Sequence, residues 1–252
     1  MALIGGSDVS EDLNGTDLPD QIWGFGGGDT LIGGDGADTM YGGSGDDLLF
    51  GDGDGDVLYG NTGVDRLRGG IGDDILYGGQ GNDTLTGGQG ADTLFGNNGD
   101  DLISAGIDAD LIYGNQGDDI VLGDSGSDTI FGGQGNDLLS GGIGNDLIFG
   151  NLGSDTLEGG AGNDTMNGGA GVDYFVLRAD SGNDTVNGFE ANLDVMRIQN
   201  SVNGSAITSA QAALAAAADV GGSAVITLGA SNTISLVGVS TSSLSAANFE
   251  II

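Results

Sequence analysis

The chain has no cysteine and no histidine, one proline, and only four basic residues among 252. Lacking cysteine, it cannot staple its fold with disulfides. Lacking both cysteine and histidine, it must hold any metal through oxygen. It also has neither of the side chains most used as activated nucleophile and proton shuttle. Its carboxylates are all accounted for by a repeat, and no separate domain remains in which a catalytic pair could be buried, so a non-enzyme is expected. The basic residues, Arg66, Arg68, Arg178 and Arg197, face 38 acids for a net charge of −34. Nucleic acid and anionic membrane surfaces need a basic footprint that is missing here. The balance points to cations as partners. No apolar run approaches the roughly 18 residues of a membrane span. The stretch MALIGGSDVSEDLN has neither the basic nor the apolar segment of a cleavable secretory leader, so none is expected.

What is abundant is glycine, 55 residues, placed with a strict period. A unit such as GGQGNDTLT (Gly78–Thr86) recurs every nine residues from Gly6 to Val176 without insertion or deletion. Such a period is the mark of a solenoid. Position six is acidic throughout: Glu11, then Asp20, Asp29, Asp38, Asp47, Asp56, Asp65, Asp74, Asp83, Asp92, Asp101, Asp110, Asp119, Asp128, Asp137, Asp146, Asp155, Asp164 and Asp173. Position eight is always apolar, from Leu13 to Phe175. Positions one and four are glycine apart from Ala105 at the first and Val9, Leu18, Asp54 and Asp108 at the fourth. Position two is mostly glycine, otherwise largely Asn or Asp, the residues that best tolerate positive φ. Six residues of each unit are therefore expected to turn and three, such as Thr84-Leu85-Thr86, to form a strand with its middle side chain inward.

One unit cannot close a coil, and the sequence shows that two do. Position nine is aromatic in every second unit: Trp23, Tyr41, Tyr59, Tyr77, Phe95, Tyr113, Phe131 and Phe149. The expected architecture is an all-β solenoid, a parallel β-roll of about nine 18-residue coils, with a small mixed C-terminal capping region. Residues 1–23 keep the phase poorly and are expected to be a degenerate first coil or cap; 24–176 form the roll; 177–252 form the cap. Within the cap, Ser181–Phe189 resembles one more unit shifted by two residues, and Leu193–Ile198 reads as a strand. Ser209–Asp219 reads as a helix with Ser209 as N-cap and Gly221 as its stop. Ala224–Leu228 and Thr233–Val239 read as a hairpin across Gly229–Asn232.

Position-six carboxylates 18 residues apart stack along one edge of such a roll, Asp29 to Asp173 on one side and Asp20 to Asp164 on the other. Like charges about 5 Å apart repel strongly unless a cation lies between them. Glycine turns can bring backbone carbonyls to the same ion, and an all-oxygen, flexible donor set favours Ca²⁺ over Mg²⁺. Eight gaps on each edge give up to about 16 ions. The outward aromatic strip, flanked by Val57, Ile75, Leu111 and Leu147, is read as an interface, either with another chain or with the folded-back C-terminal region.

The repeat GGxGxDxUx, with U a large apolar residue, resembles that of the RTX proteins over about two-thirds of the chain. The resemblance implies a parallel β-roll with Ca²⁺ held between successive turns by position-six Asp and turn carbonyls. It also implies export by type I secretion machinery through an uncleaved C-terminal signal, for which ISLVGVSTSSLSAANFEII is the counterpart. On this reading the protein is secreted, extracellular or at the cell surface. It folds on calcium outside the cell and builds extracellular material, a filament, matrix or surface layer, by self-association or with another extracellular protein. The alternatives are a membrane-active effector and the secretion module of a separate enzyme.

Overall fold

A computed structural model describes residues 1–178, 181–199, 207–228 and 232–252. The chain is a parallel β-solenoid of about 11 turns and divides into two units, Met1–Gly126 and Ser127–Ile252. In the first unit, strands Leu3–Gly5, Gln21–Gly26, Thr39–Ser44, Val57–Thr62, Ile75–Gln80, Thr93–Asn98 and Leu111–Gln116 pair in parallel, in that order. The intervening strands, from Asp12–Asn14 and Thr30–Gly34 to Leu102–Ile107 and Ile120–Ser125, make a second parallel sheet. Register advances by one coil per rung, so Thr84 faces Leu102 and Leu85 faces Ile103. The turn count exceeds the expected nine because strands outside 24–176 add rungs; Leu3–Gly5 pairs with Gln21–Trp23 and Asp12–Asn14 with Thr30–Ile32.

Alternation within each strand sends position eight inward from both sheets. Ile22, Leu31, Met40, Leu49, Leu58, Leu76, Leu85, Leu94, Ile103 and Ile112 are completely buried. The strands are longer than the three residues expected. Thr84–Gln89 runs through position three of the following unit, and the positive-φ positions of a regular unit are the second and fourth. Gly79 and Gly81 have φ of 121° and 128°. Where position two is Asn or Asp the same conformation holds: Asn61, Asn97 and Asn115 have φ of 77°, 78° and 79°. Asp54 and Asp108, at position four, adopt φ of 65° and 81° and so keep the turn. Phe25 is the outlier, a bulky residue at position two with φ 74° and its ring more than half exposed.

In the second unit one sheet runs Thr129–Gln134, Leu147–Leu152, Thr165–Ala170, Asn183–Asn187 and then Thr233–Leu236. Two antiparallel strands, Ser223–Thr227 and Ala217–Val220, complete it. The other sheet runs Leu138–Ile143, Thr156–Ala161, Tyr174–Leu177, Val195–Ile198 and Phe249–Ile251. The expected hairpin is present, with Leu228 N–H bonded to the Asn232 carbonyl; Gly229–Ser231 lie outside the described residues. The helix is shorter than expected. Ser209 does cap it, accepting from Ala212 N–H at 3.1 Å, but it ends at Ala216. Ala217–Val220 is a strand instead, because its backbone pairs with Ser223–Ile226 and Asp219 accepts from Thr241 N–H and hydroxyl. Gly221, at φ 60°, turns this strand pair rather than stopping the helix. The C-terminal strand is tied down by an Arg197–Glu250 ion pair at 2.8 Å. Nearby, Asn248 donates to the carbonyls of Ala191 and Asp194.

Candidate metal centre

Each glycine turn drives its position-six carboxylate into the protein. All 18 predicted Asp residues are at most 3% exposed, so they are buried and not solvated turn residues. One carboxylate oxygen has a fixed structural task. Asp83 Oδ1 accepts from the Asp65 N–H at 2.8 Å, and the Asp83 N–H donates to Asp101 Oδ1 at 2.7 Å. In the first unit this ladder joins Glu11, Asp29, Asp47, Asp65, Asp83, Asp101 and Asp119 on one edge. Asp20, Asp38, Asp56, Asp74, Asp92 and Asp110 are joined in the same way on the other. In the second unit it joins Asp128, Asp146 and Asp164, and separately Asp137, Asp155 and Asp173.

The other oxygen is different. Oδ2 of Asp29, Asp38, Asp47, Asp56, Asp65, Asp74, Asp83, Asp92, Asp101, Asp146, Asp164 and Asp173 is buried with no hydrogen-bond partner. A buried carboxylate oxygen without a donor costs several times what a hydrogen bond returns. Position-one glycine makes room for it. A Cβ on Gly78 would lie 2.6 Å from Asp83 Oδ2 and 2.7 Å from the Gly96 carbonyl oxygen one coil on. Thus a carboxylate oxygen and a backbone carbonyl from the next turn crowd one small cradle. At Gly87 the second oxygen is the carbonyl of Ala105, so that substitution leaves the donor in place.

Burial sets the proton affinity of these groups. It pushes Asp56 up to about 8, and Asp65, Asp92, Asp101 and Asp119 up to about 7, against the lowering effect of the ladder N–H bond. Asp47, Asp74, Asp83 and Asp164 are raised to about 6 for the same reason. No three carboxylates cluster among the described residues, so a cation here must draw on carbonyls as well as carboxylates. The residues present fit Ca²⁺: hard oxygen donors, one charged, with an unsatisfied lone pair directed at the site. Bound there, Ca²⁺ would neutralise adjacent carboxylates; Asp Oδ2 and the position-one carbonyl would hold it, while Oδ1 keeps the turns in register.

The position-five acids are not part of this set. Asp46 Oδ1 accepts from Val64 N–H and Asp73 Oδ1 from Ala91 N–H, at 2.8 and 2.9 Å, in the opposite direction along the coil. Turns with Asp or Asn at position five, such as those of Asp46, Asp73, Asn82 and Asp100, are thereby stapled forward by position five and backward by position six.

The sequence reading missed Asp184 and Asp194, which continue the ladder at spacings of 20 and 21. Asp164 N–H donates to Asp184 and Asp173 N–H to Asp194, both at 3.1 Å. The signal for Asp184 was legible as Gly182-Asn183-Asp184-Thr185 in a shifted phase. For Asp194 nothing but Leu193-Asp194-Val195 remained of the unit.

The eight aromatics form flat stacks. Tyr41–Tyr59, Tyr59–Tyr77 and Tyr77–Phe95 have ring centroids 4.8 Å apart, Phe95–Tyr113 and Phe131–Phe149 5.0 Å, and Trp23–Tyr41 5.9 Å. Stacking covers their faces and leaves them half-buried. Exposed aliphatics lie on both sheets: Leu3 and Leu152 on the aromatic one, and Ile71, Leu102, Ile107, Ile120 and Leu138 on the other. No helix among the described residues is long and apolar enough to cross a membrane.

A parallel roll whose turns carry buried, half-satisfied carboxylates beside glycine carbonyls defines a calcium-type repeat protein. Overlapping matches to the RTX calcium-binding nonapeptide repeat run from residue 23 to residue 192. The chain belongs to that family, and its repeats are calcium-binding. No curated protein matches it. Among solved structures it is similar to the AlgE6R3 subunit of the Azotobacter vinelandii mannuronan C5-epimerase, at 26% identity over 57% of this chain and 78% of that one, with a TM-score of 0.39. It is also similar to the extracellular lipase LipA of Serratia marcescens, at 20% identity and a TM-score of 0.34. There the match covers 79% of this chain but 45% of the lipase.

Proposed function

We propose that this is a secreted protein whose roll orders on binding Ca²⁺ outside the cell and then serves as a structural extracellular component through self-association. The observation that carries the calcium half is the column of buried Oδ2 atoms with no protein donor. If the sites have the affinity of extracellular modules, about 10⁻⁴–10⁻³ M, the chain stays unfolded before export and folds after it. RTX repeat proteins are typically exported by type I systems, and the C-terminal segment ending in Phe249-Glu250-Ile251-Ile252 is assigned that role here. Circular dichroism during a Ca²⁺ titration tests the folding step; ordered β structure in excess chelator would defeat it.

The structural role is supported by the share of the chain given to roll and by an outward surface rich in aromatic and aliphatic side chains. In this reading the chain carries no catalysis of its own. Electron microscopy with and without Ca²⁺ should show fibres or sheets only with the ion. Changing Tyr77 and Phe95 to Ser should weaken assembly and spare Ca²⁺ binding, and unchanged light scattering would count against the aromatic strip as the interface. Monodisperse particles in calcium would favour the second reading, the secretion and folding module of a separate enzyme or effector.

A further inference from the structure

The first two turns lie before the residues matched to the RTX repeat, and their two position-six acids are arranged differently. Glu11 reproduces the regular cradle. A Cβ on Gly6 would lie 2.5 Å from Glu11 Oε2 and 2.9 Å from the Gly24 carbonyl, and Oε2 is buried without a hydrogen-bond partner. Its own N–H donates to Asp29 Oδ1 at 2.8 Å, as Asp29 N–H does to Asp47 and Asp47 N–H to Asp65 further along the same edge. Asp20 does not reproduce it. The nearest atoms to a Cβ on Gly15 are the carbonyl of Gly33 and its neighbour Ile32, with no carboxylate oxygen among them. Asp20 Oδ2 has turned away to accept from Thr16 N–H at 2.9 Å and the Thr16 hydroxyl at 2.7 Å, while Oδ1 accepts from Ala2 N–H. Residue sixteen supplies both bonds to Oδ2. A threonine stands at position two, where most units have glycine and no hydroxyl to offer.

Resting on the calcium reading above, we propose that Glu11, and not Asp20, is the first Ca²⁺-binding carboxylate of the chain. Glu11 brings to the Gly24 carbonyl a charged oxygen that nothing in the protein satisfies. Asp20 is a structural cap. Its charge is already met by three donors, which hold its carboxyl below the usual range, Ala2 N–H contributing most and the Thr16 hydroxyl next. A cation at Asp20 would have to displace both Thr16 bonds before gaining a ligand. The same closure recurs in the second unit, where Glu190 N–H, also four residues upstream, donates to Asp194 Oδ2 at 2.7 Å.

The single tryptophan makes the first turns separately observable. Trp23 directly precedes Gly24, whose carbonyl lines the Glu11 cradle. Tb³⁺, a luminescent stand-in for Ca²⁺, can therefore be excited through Trp23 in the full chain. Glu11→Gln should bind one Ca²⁺ fewer by calorimetry and show a clear loss of Trp23-sensitised emission. Asp20→Asn should retain the wild-type number of ions and the wild-type emission. Circular dichroism in saturating Ca²⁺ confirms that each variant is folded. Unchanged emission and stoichiometry in Glu11→Gln, or loss of an ion in Asp20→Asn, would overturn the assignment while leaving the calcium reading intact. A wild-type chain that takes up neither Ca²⁺ nor Tb³⁺ would instead overturn both.

Discussion

Replacing Asp83 by Asn separates the two oxygens of a ladder carboxylate. An amide oxygen at Oδ1 can still accept from Asp65 N–H, and the residue 83 N–H can still reach Asp101, so the 2.8 and 2.7 Å ladder bonds survive. What changes is Oδ2, which loses its charge. Two opposing terms follow. In calcium, the variant loses the attraction between a carboxylate and the ion, at least about 4 kcal/mol for unit charges ~4 Å apart at an effective dielectric constant of about 20. It also escapes the cost of ionising a buried group. Burial raises Asp83 from 3.8 to about 6, and a shift of that size is about 3 kcal/mol once the pH is well above it. The loss exceeds the gain by about 1 kcal/mol or more, and each 1.4 kcal/mol is roughly tenfold in binding. At pH 8 the Ca²⁺ midpoint of folding should therefore rise several-fold. In chelator the sign reverses, because only the escaped cost remains, and the variant should show more β structure than wild type at pH 8. Titration by circular dichroism reads both arms. A variant with a wild-type Ca²⁺ midpoint and no extra order in chelator would refute the assignment of Oδ2 to the ion.

Without calcium, pH should govern order. Asp56, Asp65 and Asp101 have folded-state values of about 8, 7 and 7, above the 3.8 expected when unfolded, so the folded chain binds more protons. Their contribution is fully present below about pH 4 and is lost progressively as pH rises from there through about 7 to 8; chelated protein should gain β signal on acidification, while Ca²⁺ affinity falls. Leu85→Ala removes a fully buried side chain facing Leu67 and Ile103 along its sheet, and should cost about 2–5 kcal/mol in calcium by urea denaturation. Phe25→Asn replaces a ring held at φ 74° by a residue suited to that conformation, and should raise stability by about 1 kcal/mol, read as an increase in Tm.

Much of this architecture was legible because the period ties chemistry to position. Leu85 and its equivalents had to face inward, and Asn61, Asn97 and Asn115 had to mark left-handed turn positions; both follow from local rules that no tertiary contact overrides. Strand length was less legible. The sequence signals a turn wherever glycine clusters, but Gly87 is extended in Thr84–Gln89 and its small size serves the Asp92 carboxylate. In the cap, helix propensity in Ala210–Ala218 lost to strand pairing by Ala217–Val220, a contact with residues that follow it in sequence. The carboxylates were the most instructive case. Periodicity treats Asp20 and Asp83 as equals, whereas one hydroxyl, on Thr16, separates them. Periodicity likewise could not reach Asp184 and Asp194, whose spacings of 20 and 21 from their ladder partners break the 18-residue rule.

A crystal grown in Ca²⁺, with the ions located by their anomalous scattering, tests the central claim most directly. The account predicts peaks in contact with Oδ2 of Asp29, Asp38, Asp65 and Asp83 and with the facing position-one carbonyls, a peak at Glu11 Oε2, and none at Asp20. Peaks confined to the exposed position-five acids, or a folded roll with empty cradles, would contradict it.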